Sequence, residues 1–513
     1  MEINIFINIK YIKWFYLLLL IMRKYVFFLV YLLFKHIHCG NITYLNNDNL
    51  NNDNNNQDDW DNATWVLTSS FIIITMQSGF GLLESGMVSN KNQIHIMVKN
   101  MTDILFGGLT FWIFGYAFIF GDNSNGLISY TDFFTDKENN YGWLFSNFFF
   151  QFTFSTTATT IVSGCLAERT NFLAYMLFSM INTFIYAFPA HWVWNKNGWL
   201  NRLGVVDFAG CGPVHLVGGL TGLIGTIKLG PRLRIEKPNS YNNSIFGLFM
   251  LWWGWLGFNC GSTLGITGDK WLYASKSAVN TVLSTVGGGI ISFVYSYFRY
   301  NNKYPIEVII NGILGSLVSI TACCIYVKTS ISIFIGIIGA IISIQSNIYI
   351  KKYQIDDPVG AIGVHFFAAI WGILCSGLFV KNINSLNVNN GLFYGGGSYL
   401  LGIQLLEIIT ISVWTIIMSY LFFTMIDYLI GLRVSVEEEM LGADILYHLL
   451  PDDIDIVEEI TDDIHENEEA LSSVTMTMPT VEDNNQVINN QIDNQINNNQ
   501  KIDEIILPNT PLP

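Results

Sequence analysis

Long apolar segments follow one another between residues 64 and 432, and they constrain the fold more than any other feature of the sequence. A helix of about 20 apolar residues is long enough to cross the hydrocarbon core of a bilayer. Only 13% of the residues are charged, whereas a soluble domain carries about 25%. We therefore predict an all-α polytopic membrane protein with eleven transmembrane helices, near residues 65–87, 98–121, 142–165, 171–194, 207–229, 244–264, 273–297, 306–326, 330–350, 358–380 and 399–430.

The net charge of −15 comes from the C-terminal end of the chain. Residues 434–513 hold 19 Asp and Glu and one Lys, whereas the rest of the chain is slightly positive. This acidity therefore describes a tail, and the apolar composition excludes a soluble enzyme or a nucleic-acid-binding protein. The sequence has no G-x4-G-K-[ST], HExxH or GxSxG motif, and its seven cysteines form no CxxC pair. We predict no enzymatic activity, no metal and no cofactor.

The first 40 residues contain two apolar runs, each too short to cross a membrane, separated by Arg23 and Lys24. The stretch from Met22 is typical of a signal peptide, because basic residues precede an apolar core and a polar end. A single kinked anchor helix is the alternative, and the sequence favours neither.

Residues 41–63 form an Asn-rich linker that cannot bury a core. It contains glycosylation sequons at Asn41 and Asn62, which predict an extracellular glycoprotein segment. With this segment outside, the cytoplasmic loops and tail start hold twelve Lys and Arg against seven in the outer loops. This bias predicts an outer N-terminus and a cytoplasmic C-terminus. Residues 433–513 form an acidic, Asn-rich cytoplasmic tail in which only Ser435–Leu450 has helical character.

Two segments of the membrane region, 64–432, repeat the same pattern 150 residues apart. Both Asp207–Gly222 and Asp357–Gly372 read D-x6-V-H-x-x-[GA]-[GA]-x-x-G. Five predicted spans separate the two copies, so they have opposite orientations, as in an inverted repeat. His215 and His365 each follow the Asp by eight residues, about 12 Å of helix, which places both near mid-membrane depth.

A titratable side chain at that depth is by default a candidate functional site. The alternative is that each histidine has a structural role only, in which it joins two packed helices by a hydrogen bond. Matched positions in two repeats favour a shared site, in which two neutral imidazoles hydrogen-bond each other. Small residues beside each histidine would let the helices approach closely.

Seven motifs extend the pattern well beyond the histidines. In chain order they are residues 79–92 (GFGLLESGMVSNKN), 150–169 (FQFTFSTTATTIVSGCLAER), 192–194 (WVW), 207–215 (DFAGCGPVH), 254–262 (GWLGFNCGS), 356–365 (DDPVGAIGVH) and 431–444 (GLRVSVEEEMLGAD). In order and spacing they resemble the ammonium transporter (Amt/Mep) family, relatives of the Rhesus glycoproteins. The resemblance covers roughly residues 64–450. It implies a homotrimer in which each protomer has its own pore, built from a five-plus-five inverted repeat plus a last long helix.

The resemblance also implies roles for individual residues. His215 and His365 match the pore histidine pair, and Phe154 and Phe258 match the two phenylalanines of the gate. Phe150 lies one helical turn before Phe154. Trp194 and Ser262 match the outer ammonium site, and Asp207 matches a buried structural acid near that site, where it could cap backbone N–H groups.

The function implied is ammonium transport across the bilayer, which we expect to be the plasma membrane, with methylammonium as an analogue. NH4+ binds at the outer aromatic site and loses a proton, and NH3 passes the twin histidines while H+ crosses separately. Two alternatives stay open: an electroneutral Rhesus-type channel for NH3 or CO2, and an ammonium-sensing, transport-like receptor.

Overall fold

The computed structural model describes residues 53–135, 141–382 and 388–448. The predictions made for residues 1–40, for Asn41 and for the tail beyond residue 448 lie outside these ranges. From Gln57 onward the described residues belong to one compact unit. The described residues form helices, turns and two isolated β-bridges, with no extended strand among them.

The long helices follow the apolar segments. Their bounds are α1 Asp53–Met87, α2 Asn90–Phe120, α3 Tyr141–Cys165, α4 Phe172–Trp194, α5 residues 211–229, α6 Tyr241–Gly261, α7 Lys270–Arg299, α8 Ile306–Thr321, α9 Thr329–Lys352, α10 Ile362–Phe379 and α11 Tyr399–Leu429. Two short helices, α12 (Val436–Leu441) and α13 (Ala443–His448), follow within the predicted helical part of the tail.

Seven helices in the described ranges are long and apolar enough to cross a membrane: α1, α2, α4, α7, α9, α10 and α11. A shorter apolar helix, α8, accompanies them. These helices confirm the prediction of an all-helical polytopic membrane protein. The count of eleven spans stays a prediction.

Helix α1 begins earlier than the sequence predicts and includes residues that we assigned to the linker. Asn62 explains part of this extension, because its side-chain oxygen accepts hydrogen bonds from the backbone N–H groups of Ile266 and Thr267 at 2.8 and 3.1 Å. Tertiary contact of this kind overrides local composition. Asn62 is 9% exposed, so this sequon is largely buried in the folded protein, and its glycosylation stays a prediction.

Small residues bring α7, α8 and α9 into close contact. A Cβ atom on Gly288 of α7 would lie 2.4 Å from Ser316 of α8, and one on Gly336 of α9 would lie 2.0 Å from the Ser284 carbonyl of α7. Lipid-embedded helices use such residues to pack, because apolar side chains gain little by leaving lipid for another helix.

Candidate functional site

Asp207 holds the beginning of α5. Its carboxylate accepts hydrogen bonds from three consecutive backbone N–H groups, those of Gly210 at 3.0 Å, Cys211 at 2.8 Å and Gly212 at 2.6 Å. Gly210 has a φ of 93°, in the left-handed region that favours glycine. The structure thus confirms that Asp207 caps backbone N–H groups.

Asp357 does the same at the beginning of α10. Its carboxylate accepts from the N–H groups of Gly360 at 2.9 Å and Ile362 at 2.7 Å, and Gly360 has a φ of 77°. A π-helical turn follows each cap, Cys211–Leu216 in α5 and Ile362–Phe367 in α10. Such turns are frequent at functional sites, and each of these carries one of the two predicted histidines.

The two histidines meet inside the protein. The Nδ1 atoms of His215 and His365 lie 3.1 Å apart, and their ring centroids are 5.2 Å apart. Exposure is 0% for His215 and 2% for His365. One Nδ1 donates and the other accepts, because two N–H groups cannot face each other at this distance. The His215 Nε2 has no hydrogen-bond partner among the described residues, so it is available to a molecule beside the ring.

Trp255 supports this pair, and its role was not predicted from the sequence. Its ring stacks on His215 with centroids 5.0 Å apart and an interplanar angle of 13°. Its Nε1 donates to the Thr321 hydroxyl at 3.0 Å, which fixes the ring. The signal available in the sequence was its position three residues before Phe258, which places both rings on one side of α6.

The predicted gate phenylalanines stack on one side of the histidines. The rings of Phe154 and Phe258 are 3.9 Å apart and nearly parallel, at 10°. Phe258 is also 5.7 Å from the ring of His215, and Phe150 lies 4.7 Å from Phe154. The three phenylalanines are at most 1% exposed. A molecule reaching His215 from this side must pass the stacked pair.

Trp194 and Ser262 are half-buried near the gate. The ring of Trp194 meets Phe154 edge-on at 5.7 Å, and its Nε1 donates to the Asp207 carbonyl at 3.1 Å. The Ser262 hydroxyl donates to the Phe258 carbonyl at 2.8 Å, which directs its proton into its own helix. The hydroxyl oxygen can therefore still accept a hydrogen bond from a donor such as N–H.

A cavity borders His365 on another side, and we call it the Glu84 cavity. Its lining includes Phe80, Glu84, Asn311, Val359 and His365, and it has room for about one water molecule.

A second cavity shares two residues with the Glu84 cavity, Asn311 and Val359, and extends to Glu307 and Lys351. The side chains of Glu307 and Lys351 are exposed and form an ion pair of 3.7 Å. The two cavities therefore lead from His365 toward the protein surface.

Charged residues between the helices hold one end of the bundle together. Arg232 forms ion pairs with Glu168 and with Asp356 (2.7 Å), and the side chains of all three residues are at least nine-tenths buried. Burial raises the pKa of Glu168, but Arg232 and Ser89 lower it by more, so this pKa lies below its ordinary value. For Asp356, burial is likewise outweighed by the hydrogen bonds and charge of Arg232, and the pKa is lowered.

The beginning of the tail packs on the same end of the bundle. Asp444 of α13 accepts hydrogen bonds from the backbone N–H groups of Ile94 at 3.1 Å and His95 at 2.7 Å, near the beginning of α2. Arg433 donates to Glu439 at 2.8 Å. Residues 433–448 are therefore part of the folded protein.

Known proteins are similar to this chain in sequence and in fold. A model of the Ammonium Transporter Family matches residues 64–451. Putative ammonium transporter 3 of Caenorhabditis elegans is 41% identical over 76% of this chain, which spans 60% of that relative's length.

Solved structures agree with this match. The structure titled Sensor Amt Protein has a TM-score of 0.71 at 32% identity, covering 77% of this chain and 100% of its own. Candida albicans Mep2 has a TM-score of 0.68 at 27% identity, covering 75% of this chain and 88% of its own. The chain therefore belongs to the Ammonium Transporter Family, whose members are membrane transporters and not enzymes.

Proposed function

We propose that this protein moves ammonium across a membrane as ammonia and a proton. NH4+ binds beside Trp194, Phe154 and Ser262 and loses a proton, and NH3 passes the twin histidines, His215 and His365, while H+ crosses separately. The observation that carries the proposal is the buried imidazole pair directly behind the stacked phenylalanines. Family membership supports the substrate class.

The outer residues suit a small cation with N–H groups. Contact between a cation and the face of an aromatic ring contributes about 0.5–2 kcal/mol, and Trp194 and Phe154 both offer rings. The Ser262 oxygen can accept a hydrogen bond from NH4+. Potassium has the same charge but no proton to donate, so it gains only the aromatic contact.

The buried histidines suit the neutral molecule. Transfer of a bare monovalent ion into an apolar interior costs on the order of tens of kcal/mol by Born solvation, and NH3 avoids most of this cost. The free Nε2 of His215 can bind NH3 or take up the proton that NH4+ loses. The hydrogen bond between the two Nδ1 atoms gives that proton a route to His365.

The matched aspartate caps at the beginnings of α5 and α10 support the finer architecture that we propose. This architecture has eleven spans, arranged as a five-plus-five inverted repeat followed by α11. Asp207 and Asp357 each receive backbone hydrogen bonds, precede a π-helical turn and position a histidine. We further propose a homotrimer in the plasma membrane, an outer N-terminus and a cytoplasmic C-terminus. The proposed domain division is 1–40, 41–63, 64–432 and 433–513.

Electrophysiology in a heterologous cell tests the transport proposal. Ammonium and methylammonium should evoke inward current together with uptake, and potassium should evoke none. Uptake without current would favour an electroneutral Rhesus-type channel. Absence of both uptake and current, with protein at the cell surface, would contradict transport.

A sensing function is the second candidate, because one similar structure is titled Sensor Amt Protein. Deleting residues after Leu450 separates the two functions. A transporter should retain uptake in this variant, whereas a receptor should lose ammonium-dependent signalling while uptake stays the same. Because residues 433–448 pack on the bundle, the deletion leaves the folded segment intact.

A further inference from the structure

The Glu84 cavity lies on the far side of the histidines from the gate. Ser69 of α1 contacts the end of α6 near Phe258, since a Cβ atom on Gly261 would lie 2.6 Å from Ser69. Glu84 follows Ser69 by fifteen residues of α1, about 22 Å along the helix. Phe80 lies between them, with its ring 6.1 Å from His365. Glu84 is one turn beyond Phe80 and lines the same cavity as His365.

The Glu84 side chain is held by neighbours on α2 and α3. Its Oε2 accepts hydrogen bonds from Asn100 at 2.8 Å and from the Ser163 hydroxyl at 2.7 Å. Lys99 donates to the Ser163 carbonyl at 3.4 Å and lies 4.2 Å from the centre of the Tyr175 ring. These bonds fix the carboxyl group at the edge of the cavity.

The buried charged side chains around Glu84 favour the binding of one proton. Asp103 accepts hydrogen bonds from Ser179 at 2.6 Å and Tyr175 at 2.9 Å. Glu84, Lys99 and Asp103 are each at most 1% exposed. Two carboxylates with one ammonium group leave an uncompensated buried negative charge, which is costly in a low-dielectric interior. One bound proton removes this excess, and Glu84 is the member of the cluster that lines the cavity.

A purely structural ion pair would need no access to the pore. Glu84 has such access, because its cavity holds His365 at one end and continues past Asn311 toward Glu307 and Lys351. A carboxyl group placed between a histidine and an exit can exchange protons in both directions.

We infer that Glu84 is the proton-exchange group on the exit side of the pore, an inference that rests on the proposed function. At rest Glu84 holds the proton that balances the cluster. This carboxylic acid donates its proton to NH3 that has passed the histidines, and NH4+ leaves. The proton removed from the incoming NH4+ passes from His215 to His365 and then, through one water molecule in the cavity, to the Glu84 carboxylate, which restores the acid.

Simultaneous measurement of current and radiolabelled methylammonium uptake under voltage clamp tests the inference. The wild type should carry about one charge per molecule. Glu84→Gln keeps the shape and hydrogen-bonding oxygen of the side chain but has no titratable proton. The charge carried per molecule should fall roughly 100-fold, the typical contribution of a general acid or base, because NH3 still passes while its proton stays behind.

Asp103→Asn is the matched control, since it removes a carboxylate from the same buried cluster but not from the cavity wall. Its charge per molecule should equal that of the wild type, and Glu84→Asp should retain a measurable current. An unchanged ratio in Glu84→Gln, or an equal loss of uptake and current, would overturn the inference.

If Glu84→Gln fails to reach the membrane, Glu84→Met replaces it, because it also lacks a titratable proton and leaves the Lys99 ammonium balanced by the Asp103 carboxylate. The charge carried per molecule of methylammonium again decides the outcome. A wild type without ammonium uptake would instead contradict the proposed function itself.

Discussion

The close approach of α5 to α10 sets the distance between the histidines, and Gly219 makes that approach possible. A Cβ atom on Gly219 would lie 2.4 Å from the Phe366 backbone nitrogen and 3.0 Å from the His365 Cβ. An ordinary contact needs at least 3.4 Å, so Gly219→Ala requires the backbones to separate by about 1 Å. The imidazole contact, now 3.1 Å, would then exceed hydrogen-bonding distance.

Two opposing effects set the stability of Gly219→Ala. Overpacking costs about 1–3 kcal/mol, whereas Gly-to-Ala replacement in a helix returns about 0.5–1 kcal/mol. We expect a modest loss of thermal stability and a loss of methylammonium uptake of roughly 100-fold, because displacement of a reacting group by 1 Å has about that effect.

Gly402→Ala in α11 is the control for this substitution. No atom lies within 4 Å of its added Cβ, so uptake should equal that of the wild type. Wild-type uptake by a stable Gly219→Ala protein would refute the reasoning, since the histidine contact would then tolerate separation of the helices.

Three further outcomes are expected. Trp194→Leu should raise the ammonium concentration that gives half-maximal current by about two- to thirty-fold, because one cation–π contact to the bound ion is lost. Asp357→Asn should lower the free energy of unfolding by about 1–3 kcal/mol, because its hydrogen bonds lose a charged acceptor, as measured by thermal melting in detergent. The pKa values of Glu168 and Asp356 are lowered in the folded protein, so their ion pairs with Arg232 stabilise the fold fully at a pH above the ordinary carboxyl pKa values. This stabilisation is lost as the pH falls through the lowered pKa values. Arg232→Gln should therefore lower the melting temperature at pH 7, and the difference from the wild type should shrink in acid.

The sequence predicted the helical segments well, because length and apolarity alone decide whether a helix can cross a membrane. Its error at the N-terminal end of α1 has a physical cause. Residues 53–63 are polar and read as linker, and the bonds from Asn62 to Ile266 and Thr267 depend on a loop more than 200 residues away. Composition carries no information about such contacts.

The repeat predicted the meeting of the two histidines, since matched Asp-to-His spacing and small neighbouring residues are local signals. Trp255 and Glu84 were not assigned roles, although both lie within motifs quoted for the family resemblance. Trp255 becomes significant because α6 crosses α5 beside His215. Glu84 becomes significant because α1 passes His365. The packing of helices distant in sequence determines both.

The central claim is that the imidazole pair takes part in transport. Methylammonium uptake by His215→Ala and His365→Ala, normalised to surface-expressed protein, tests it most directly. The proposed mechanism predicts that each variant loses most of its uptake, roughly 100-fold if the ring acts as a proton acceptor, while the protein still reaches the membrane. Full uptake by both variants would contradict it.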